Sequence, residues 1–142
     1  MQTILTFKIE HGDFSATIVQ PATQSLEMLA ESILDAVGFD MDHAYGFHDN
    51  LKNPYRSKEQ YTLFADIGEE AKEGDTGVRT TPVAAVFCPK KKMLFHFDYG
   101  DDWYFLVTCV KTEETKSKFR KPKILDKQGT PPEQYPDYQE EN

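Results

Sequence analysis

Residues 93–111, MLFHFDYGDDWYFLVTCVK, form the densest run of aromatic and β-branched residues in the chain, interrupted only by a polar turn. Aromatic and β-branched residues favour strands, and Gly and Asp favour tight turns, so the run predicts a β-hairpin. We expect Gly100 to supply a positive φ in a two-residue turn that places Phe97 opposite Tyr104. Both faces of the hairpin then carry large apolar side chains, which is typical of a central strand pair.

Length and composition describe an acidic globular domain. The chain has 142 residues, of which 39% are hydrophobic and 13% aromatic, and its formal net charge is −8. A chain of this size buries roughly two thirds of the surface that its unfolded form exposes, so it can build its own core. The negative charge argues against generic DNA binding.

The cellular environment is inferred from what the sequence lacks. No apolar run approaches the roughly 20 residues that span a bilayer, and no signal peptide is evident, so we expect a cytoplasmic protein. Cys88 and Cys109 stand in apolar or strand-like surroundings without a CxxC spacing. We therefore expect both to be reduced, buried thiols.

The amino-terminal part predicts two strands followed by a helix. Residues 3–10 alternate with the period of a half-buried strand, and residues 14–20 return as its hairpin partner. Residues 26–37 then repeat apolar side chains at helical spacing, with Ser25 placed to cap the helix and Gly38 placed to end it.

The predicted helix has an apolar face and an acidic face. We expect Leu29, Ile33 and Val37 to be buried against Phe95, Phe97 or their neighbours across the hairpin, because no other apolar surface is large enough to cover them. Acidic side chains recur four residues apart on the opposite face and indicate a solvated surface rather than a docking face: Glu27, Glu31 and Asp35.

The middle of the chain predicts short elements separated by loops. We expect residues 44–48 to form a strand, residues 51–57 a loop broken at Pro54, and residues 61–65 a further extended piece. Residues 66–81 are acidic and rich in glycine, and are expected to form a long mobile connection. One short helical turn is expected over residues 83–87, after Pro82.

Histidines and aspartates in residues 39–50 resemble metal ligands in type but not in spacing. Imidazole and carboxylate are common ligands of first-row metals. Structural zinc sites, however, usually have four ligands at repeated short spacings, and neither a cysteine pair nor HExxH is present. We therefore expect no bound metal and no cofactor.

A candidate functional cluster is formed by the hairpin turn and the histidines that a sheet can bring near it: His43, His48, His96, Asp98, Asp101, Asp102 and Trp103. If His96 and Asp98 share one strand face, an imidazole and a carboxylate can converge on water or a metal ion. The structural alternative is that Asp101 and Asp102 shape the turn while His96 is a hydrogen-bonded histidine within the sheet.

Residues 115–127 form a local basic arm on this acidic chain. Its cations are candidate contacts for a polyanion: Lys116, Lys118, Arg120, Lys121 and Lys123. Such an arm can bind phosphates, or it can neutralise the acidic body next to it. We expect residues 1–126 to form a single domain. We expect residues 127–142 to be a Pro-rich, acidic tail that is partly ordered by packing of Tyr135 or Tyr138 on the body.

Motifs spread along the chain recur in one order: Pro21-Ala22 with Ser25-Leu26, Gly38-Phe39-Asp40, residues 43–47, FDYGDDW, residues 122–126 and Pro131-Pro132-Glu133. This order resembles the plasmid pRiA ORF-three-like family, which is also found as a passenger of mobile elements. The resemblance implies a small α+β domain without an established biochemical activity. Many members place cysteines around the Pro-Pro-Glu run, where this chain has Thr130 and Gln134, so a metal or redox role of the tail gains no support here.

Together these patterns predict a β-grasp-like α+β domain, with one main helix packed on a mixed or antiparallel sheet of about five strands. For function we favour a non-enzymatic binding or accessory module whose aromatic turn and neighbouring loops contact a partner. A protein partner is favoured over DNA. The alternative is a metal-assisted hydrolase that uses the His and Asp set.

Overall fold

The computed structural model describes residues 1–67 and 76–136. Eight strands run through these residues: β1, Gln2–His11; β2, Phe14–Pro21; β3, Tyr45–His48; β4, Gln60–Thr62; β5, Thr76–Gly77; β6, Lys92–Phe97; β7, Trp103–Thr115; and β8, Lys123–Gln128. The helices of the same residues are α1, Leu26–Val37; α2, Leu63–Ile67; α3, Val83–Val86; and a 3₁₀ turn, Pro54–Arg56. The strands form a sheet in the order β5-β4-β3-β6-β7-β1-β2-β8, in which β4 and β5 are parallel and the other pairs antiparallel.

The predicted fold class is wrong. We expected one main helix on about five strands in a β-grasp-like arrangement, whereas the described residues form mainly an eight-stranded mixed sheet with three short α-helices. Strands β4 and β5 have three and two residues, too few to show a period of alternation. Strand β8, KILDKQ, is mostly exposed and charged, so its sequence has the composition of a basic arm.

The amino-terminal hairpin and the helix after it are confirmed. The Ser25 hydroxyl accepts a hydrogen bond from the Met28 backbone N–H at 3.3 Å, which satisfies a donor left open at the start of α1. Gly38 has φ of +86° and donates its backbone N–H to the Leu34 carbonyl, so it ends the helix in the left-handed conformation. The predicted bounds, residues 26–37, are those observed.

The hairpin of β6 and β7 is central as predicted, being the fourth and fifth strands of the sheet, but its expected turn is wrong. Five residues, 98–102, connect the strands. Gly100 does not have a positive φ, and the left-handed positions are instead Asp98 at +61° and Asp102 at +54°. A short Asp side chain tolerates this conformation because it can bond to nearby backbone.

This longer turn changes the register of the hairpin by one residue. Phe97 lies opposite Trp103, and His96 lies opposite Tyr104 instead of Phe105. His96 and Tyr104 therefore occupy one face of the sheet together. The other face carries the buried aromatic rings of the hairpin: Phe95, Phe97 and Phe105.

The apolar side of α1 is buried as predicted. Leu29 and Ile33 have no exposed surface and belong to the same hydrophobic core as Phe95 and Phe97. The backbone of α1 lies closest to β2 and β8, so the helix covers that half of the sheet.

Residues 61–65 are not one extended segment. Strand β4 ends at Thr62, and α2 begins at Leu63. The Thr62 hydroxyl accepts a hydrogen bond from the Ala65 backbone N–H at 3.1 Å, which favours a helical start over a longer strand. The expected mobile connection, residues 66–81, falls partly outside the described residues, and the helical turn expected after Pro82 is confirmed as α3.

The two cysteines differ in environment. Cys109 is buried in the core as predicted, and burial raises the pKa of its thiol to about 11. Cys88 is exposed, so the prediction of a buried thiol is wrong there. Across residues 1–67 and 76–136, no helix is both long enough and apolar enough to span a membrane.

Candidate functional site

Loop 98–102 is held together by the buried Asp98. Its Oδ1 accepts hydrogen bonds from the backbone N–H groups of Gly100 and Asp101 at 3.1 and 3.2 Å. Its own N–H donates to the Ala44 carbonyl, and its carbonyl accepts from the Asp102 N–H at 2.6 Å. Asp98 therefore fixes the loop as a turn, and it lies beyond the end of β6 instead of sharing a strand face with His96.

A first cluster surrounds the fully buried ring of His96. Its Nε2 lies 2.6 Å from Oδ1 of Asp102, and the same oxygen accepts a hydrogen bond from the Tyr55 hydroxyl at 2.9 Å. The rings of Tyr99 and Tyr104 lie 4.1 and 4.8 Å from the imidazole, centroid to centroid. A carboxylate only accepts hydrogen bonds, so Nε2 carries the proton.

His48 extends this His96 cluster along β3. Its Nδ1 lies 3.1 Å from Oε1 of Gln60, and its Nε2 lies 3.2 Å from the Tyr99 hydroxyl. Gly46 lies two residues before His48 on the same strand and opposite His96, and a Cβ there would stand 2.7 Å from that hydroxyl and 2.8 Å from Nε2 of His48. The absence of a side chain at Gly46 therefore makes room for the tyrosine and the histidine.

The electrostatics of the His96 cluster favour a neutral imidazole. Burial lowers the pKa of His96, and the hydrogen bond to Asp102 opposes this only in part. Partial burial raises the pKa of Asp102, but hydrogen bonds from His96 and Tyr55 outweigh it and hold the pKa below its usual range. Burial and the same carboxylate raise the pKa of Tyr55 to about 12. Nδ1 of His96 is enclosed without a hydrogen-bond partner among the described residues.

A second cluster surrounds the exposed ring of His43. Its Nε2 lies 2.7 Å from the Tyr135 hydroxyl, 3.4 Å from Oδ2 of Asp98 and 3.5 Å from Oδ1 of Asp42. The Tyr135 hydroxyl also approaches Oδ2 of Asp42 at 2.8 Å, and this bond raises the pKa of Tyr135 to about 12. Gln134 exchanges two hydrogen bonds with the Asp40 backbone. The segment before residue 137 is thus tied to the loop after α1.

The predicted His and Asp set is therefore divided between two clusters. His48, His96 and Asp102 belong to the first, and His43 and Asp98 belong to the second. Within the described part of the chain, no group of three or more His, Cys, Asp or Glu side chains is arranged to hold a metal ion.

Asp101 and Trp103 lie in neither cluster but line a cleft of about 480 Å³, the acidic cleft, together with His11, Asp102, Gln134, Tyr135 and Pro136. The indole of Trp103 stands between Phe39, at 4.9 Å, and His11, at 5.6 Å, centroid to centroid. His11 is itself fixed by donating from Nδ1 to the Tyr104 carbonyl at 2.8 Å. The Trp103 ring is thus packed between aromatic neighbours, while the Asp101 carboxylate of the same cleft is exposed.

Sequence reasoning missed the tyrosines that complete these sites and the position of His11. Tyr99 adjoins the recognised turn, and Tyr104 faces His96 once the hairpin register is known, so a correct turn length would have found both. Tyr55 carries no comparable signal, since it reaches Asp102 from the 3₁₀ turn 47 residues earlier.

Acidification is expected to destabilise the protein through His96. Because burial holds the folded pKa of His96 below its ordinary value of 6.5, the unfolded chain takes up this proton at a higher pH than the folded chain does. The stability contributed by the neutral imidazole should be complete above about pH 6.5 and lost as the pH falls toward the folded pKa. Urea unfolding measured between about pH 7.5 and 5 checks this prediction.

His96→Gln should flatten that pH dependence, because an amide N–H can still donate to Asp102 but does not titrate in this range. An unchanged slope in His96→Gln would show that other groups cause the loss of stability.

Comparison with known proteins agrees with this fold and assigns no activity. A protein of unknown function, MM3350 from Methanosarcina mazei Go1, has a similar structure, with a TM-score of 0.71, 14% sequence identity, and coverage of 92% of this chain and 72% of that chain. At this identity the likeness concerns the fold alone. No curated protein matches the chain significantly. The sequence matches the family described as plasmid pRiA4b ORF-3-like protein over residues 10–140, which confirms the resemblance inferred from its motifs. This chain therefore belongs to the plasmid pRiA4b ORF-3-like protein family.

Proposed function

We propose that this protein is a non-enzymatic binding module and that its acidic cleft receives a cationic side chain of a protein partner. The observation that carries the proposal is the pairing of the exposed Asp101 carboxylate with the fixed ring of Trp103 in one cleft. A cation is attracted by the face of an indole ring and by a carboxylate, so the two groups favour the same ligand.

The surrounding charge supports a cationic ligand. Asp42, Asp98 and Asp101 all raise the pKa of Tyr135, although its hydrogen bond to Asp42 is the largest cause. The negative charges of these three carboxylates therefore act on one group, the Tyr135 hydroxyl. Since the whole protein is also acidic, a basic segment of another protein is attracted at long and at short range, whereas a nucleic acid is repelled.

Binding is favoured over the metal-assisted hydrolase because the two histidine clusters are separate. A general base must lie within hydrogen-bond reach of the proton that it removes. His96 is completely buried and donates from Nε2 to Asp102, so its imidazole is placed to support the loop. His43 is exposed, but its Nε2 is already approached by three oxygens.

Trp103 provides the test, because it is the only tryptophan and lies in the cleft. Acetylated, amidated tetra-arginine should change its fluorescence saturably, whereas tetra-glutamate should not. Asp101→Asn should weaken binding of tetra-arginine by about 5- to 10-fold, since an exposed cation pair contributes on the order of 1 kcal/mol. Asp101 contributes its backbone N–H, and not its side chain, to the hydrogen bonds of the loop, so the Asp101→Asn variant should keep the loop conformation.

Asp35→Asn on α1 is the matched control, because it removes the same charge from the acidic face of the helix. It should leave the affinity within about twofold of wild type. Equal weakening by Asp101→Asn and Asp35→Asn would show that binding depends on net charge and not on the cleft. A fluorescence change with tetra-glutamate as large as that with tetra-arginine would also contradict the proposed site.

A further inference from the structure

The loop between β7 and β8, together with the first residue of β8, carries a second charged surface of opposite sign. Residues 116–123, KSKFRKPK, hold five of the 16 Lys and Arg residues of the chain and no acidic residue. All five cations are exposed, and none forms an ion pair with a described carboxylate. These five cations lie in two different surroundings on the protein surface.

Lys121 and Lys123 lie in an acidic neighbourhood. They share a surface depression with Glu31 and Asp35 of α1. Carboxylates of the helix therefore lie beside these two cations.

Lys116, Lys118 and Arg120 lie elsewhere. They line a groove of about 830 Å³, here called the basic groove, whose other residues are Met1, Gln2, Thr3, Ala22, Thr23, Ala84, Ser117 and Phe119. No Asp or Glu is among the described residues that line it. A groove of this size is within the range of about 300 to 1,000 Å³ that holds small ligands.

The cationic wall of the groove is built into the fold by side chains from distant parts of the chain. Gln2 donates from Nε2 to the Phe119 carbonyl at 2.9 Å and accepts from the Phe119 N–H at 2.8 Å. Gln24 donates from Nε2 to the Arg120 carbonyl at 2.9 Å. These bonds fix the backbone and leave the cationic side chains to the groove, which lowers the ordering cost of binding.

We propose that the basic groove binds an oligophosphate group, either as a free polyphosphate or as the phosphate chain of a nucleotide. Three cations line a groove whose described lining includes no carboxylate, and they match the several negative charges of such a group. Arg and Lys are the side chains that recognise phosphate oxygens. A short ligand fits the charge distribution better than a duplex does, since the acidic body repels a long polyanion.

Calorimetric titration of the full chain with inorganic tripolyphosphate at about 50 mM NaCl tests the proposal. We expect binding that weakens at about 200 mM NaCl, because salt screens exposed charges. The triple variant Lys116→Gln, Lys118→Gln, Arg120→Gln should lose at least about tenfold in affinity. The hydrogen bonds that hold the backbone of this loop should persist in the variant, because those from Gln2 and Gln24 reach backbone atoms.

The matched control replaces three cations outside the groove, as Lys8→Gln, Lys92→Gln, Lys111→Gln, and changes the net charge equally. It should remain within about twofold of wild type. Equal loss in both triple variants, or no binding of tripolyphosphate, would overturn the proposal. Should the groove variant fail to fold, amide chemical shifts of the wild type decide instead: shifts confined to residues 116–120 and Gln2 support the groove, and shifts elsewhere overturn it.

ATP and adenosine distinguish the two sources of the phosphate chain. ATP binding as tightly as tripolyphosphate assigns recognition to the phosphates alone. ATP binding at least about tenfold more tightly, together with displacement by adenosine, assigns the ligand to nucleotides. Adenosine binding as tightly as ATP would contradict a phosphate site, because adenosine carries no phosphate.

Discussion

Leu29→Ala and Ile33→Ala are each expected to lower the free energy of unfolding by about 2 to 5 kcal/mol. Both side chains are fully buried in the core that also contains Phe95 and Phe97. Truncation removes buried methyl groups and leaves a cavity that the sheet beneath α1 cannot fill, because paired strands hold its position. Urea unfolding followed by circular dichroism measures the loss.

Glu31→Ala is the matched control on the same helix. Glu31 is exposed, so its removal leaves no cavity. Its carboxylate has a raised pKa, from partial desolvation and from the neighbouring charges of Glu27 and Asp35, so its removal also relieves repulsion. The control should change stability by no more than about 0.5 kcal/mol. Wild-type stability in both core variants would contradict the packing of α1 on the sheet.

Gly129→Ala is expected to cost about 2 to 4 kcal/mol, the sum of a backbone term and a steric term. Gly129 follows β8 with φ of +80°, where an L side chain is strained. A Cβ at this position would also clash with the Asp13 carbonyl oxygen in the turn between β1 and β2. The atom that it would meet belongs to the backbone, so the variant can be accommodated only by moving the edge strand.

Two other glycines separate the backbone and steric terms. Gly12 has φ of +56° with nothing within 4 Å of an added Cβ, so Gly12→Ala should cost about 1 to 2 kcal/mol from backbone strain alone. Gly100 has no positive φ and would meet only Oδ1 of Asp98, at 3.4 Å, so Gly100→Ala should change stability by about 0.5 kcal/mol or less. If Gly100→Ala lowered the free energy of unfolding more than Gly12→Ala and Gly129→Ala do, Gly100 would have to be the pivot of the central hairpin after all.

Local signals predicted the elements that depend on local chemistry. Ser25 and Gly38 bound α1 because a hydroxyl cap and a left-handed glycine act within a few residues. The central hairpin was recognised from its aromatic and β-branched residues. Its turn was not, because Asp98 and Gly100 both suit positive φ, and the choice depends on the bond from the Asp98 N–H to the distant Ala44 carbonyl.

Elements stabilised by distant partners were missed. Strand β8 exists because its backbone pairs with β2, about 100 residues earlier in the chain, and its charged sequence carries no alternation that would reveal this. The division of the histidines has the same origin. Pairing of β3 with β6 brings His48 toward His96, whereas His43 lies before β3 and meets Tyr135 from the far end of the chain.

The central claim is that a cationic side chain binds beside loop 98–102. An amide chemical-shift map of the isotope-labelled protein titrated with tetra-arginine tests it most directly. We predict saturable shifts of the Trp103 indole N–H and of the Asp101 and Asp102 amides, with the amides of residues 116–120 unmoved. Shifts confined to the acidic face of α1, at Glu27, Glu31 and Asp35, would contradict the claim and assign the interaction to another surface.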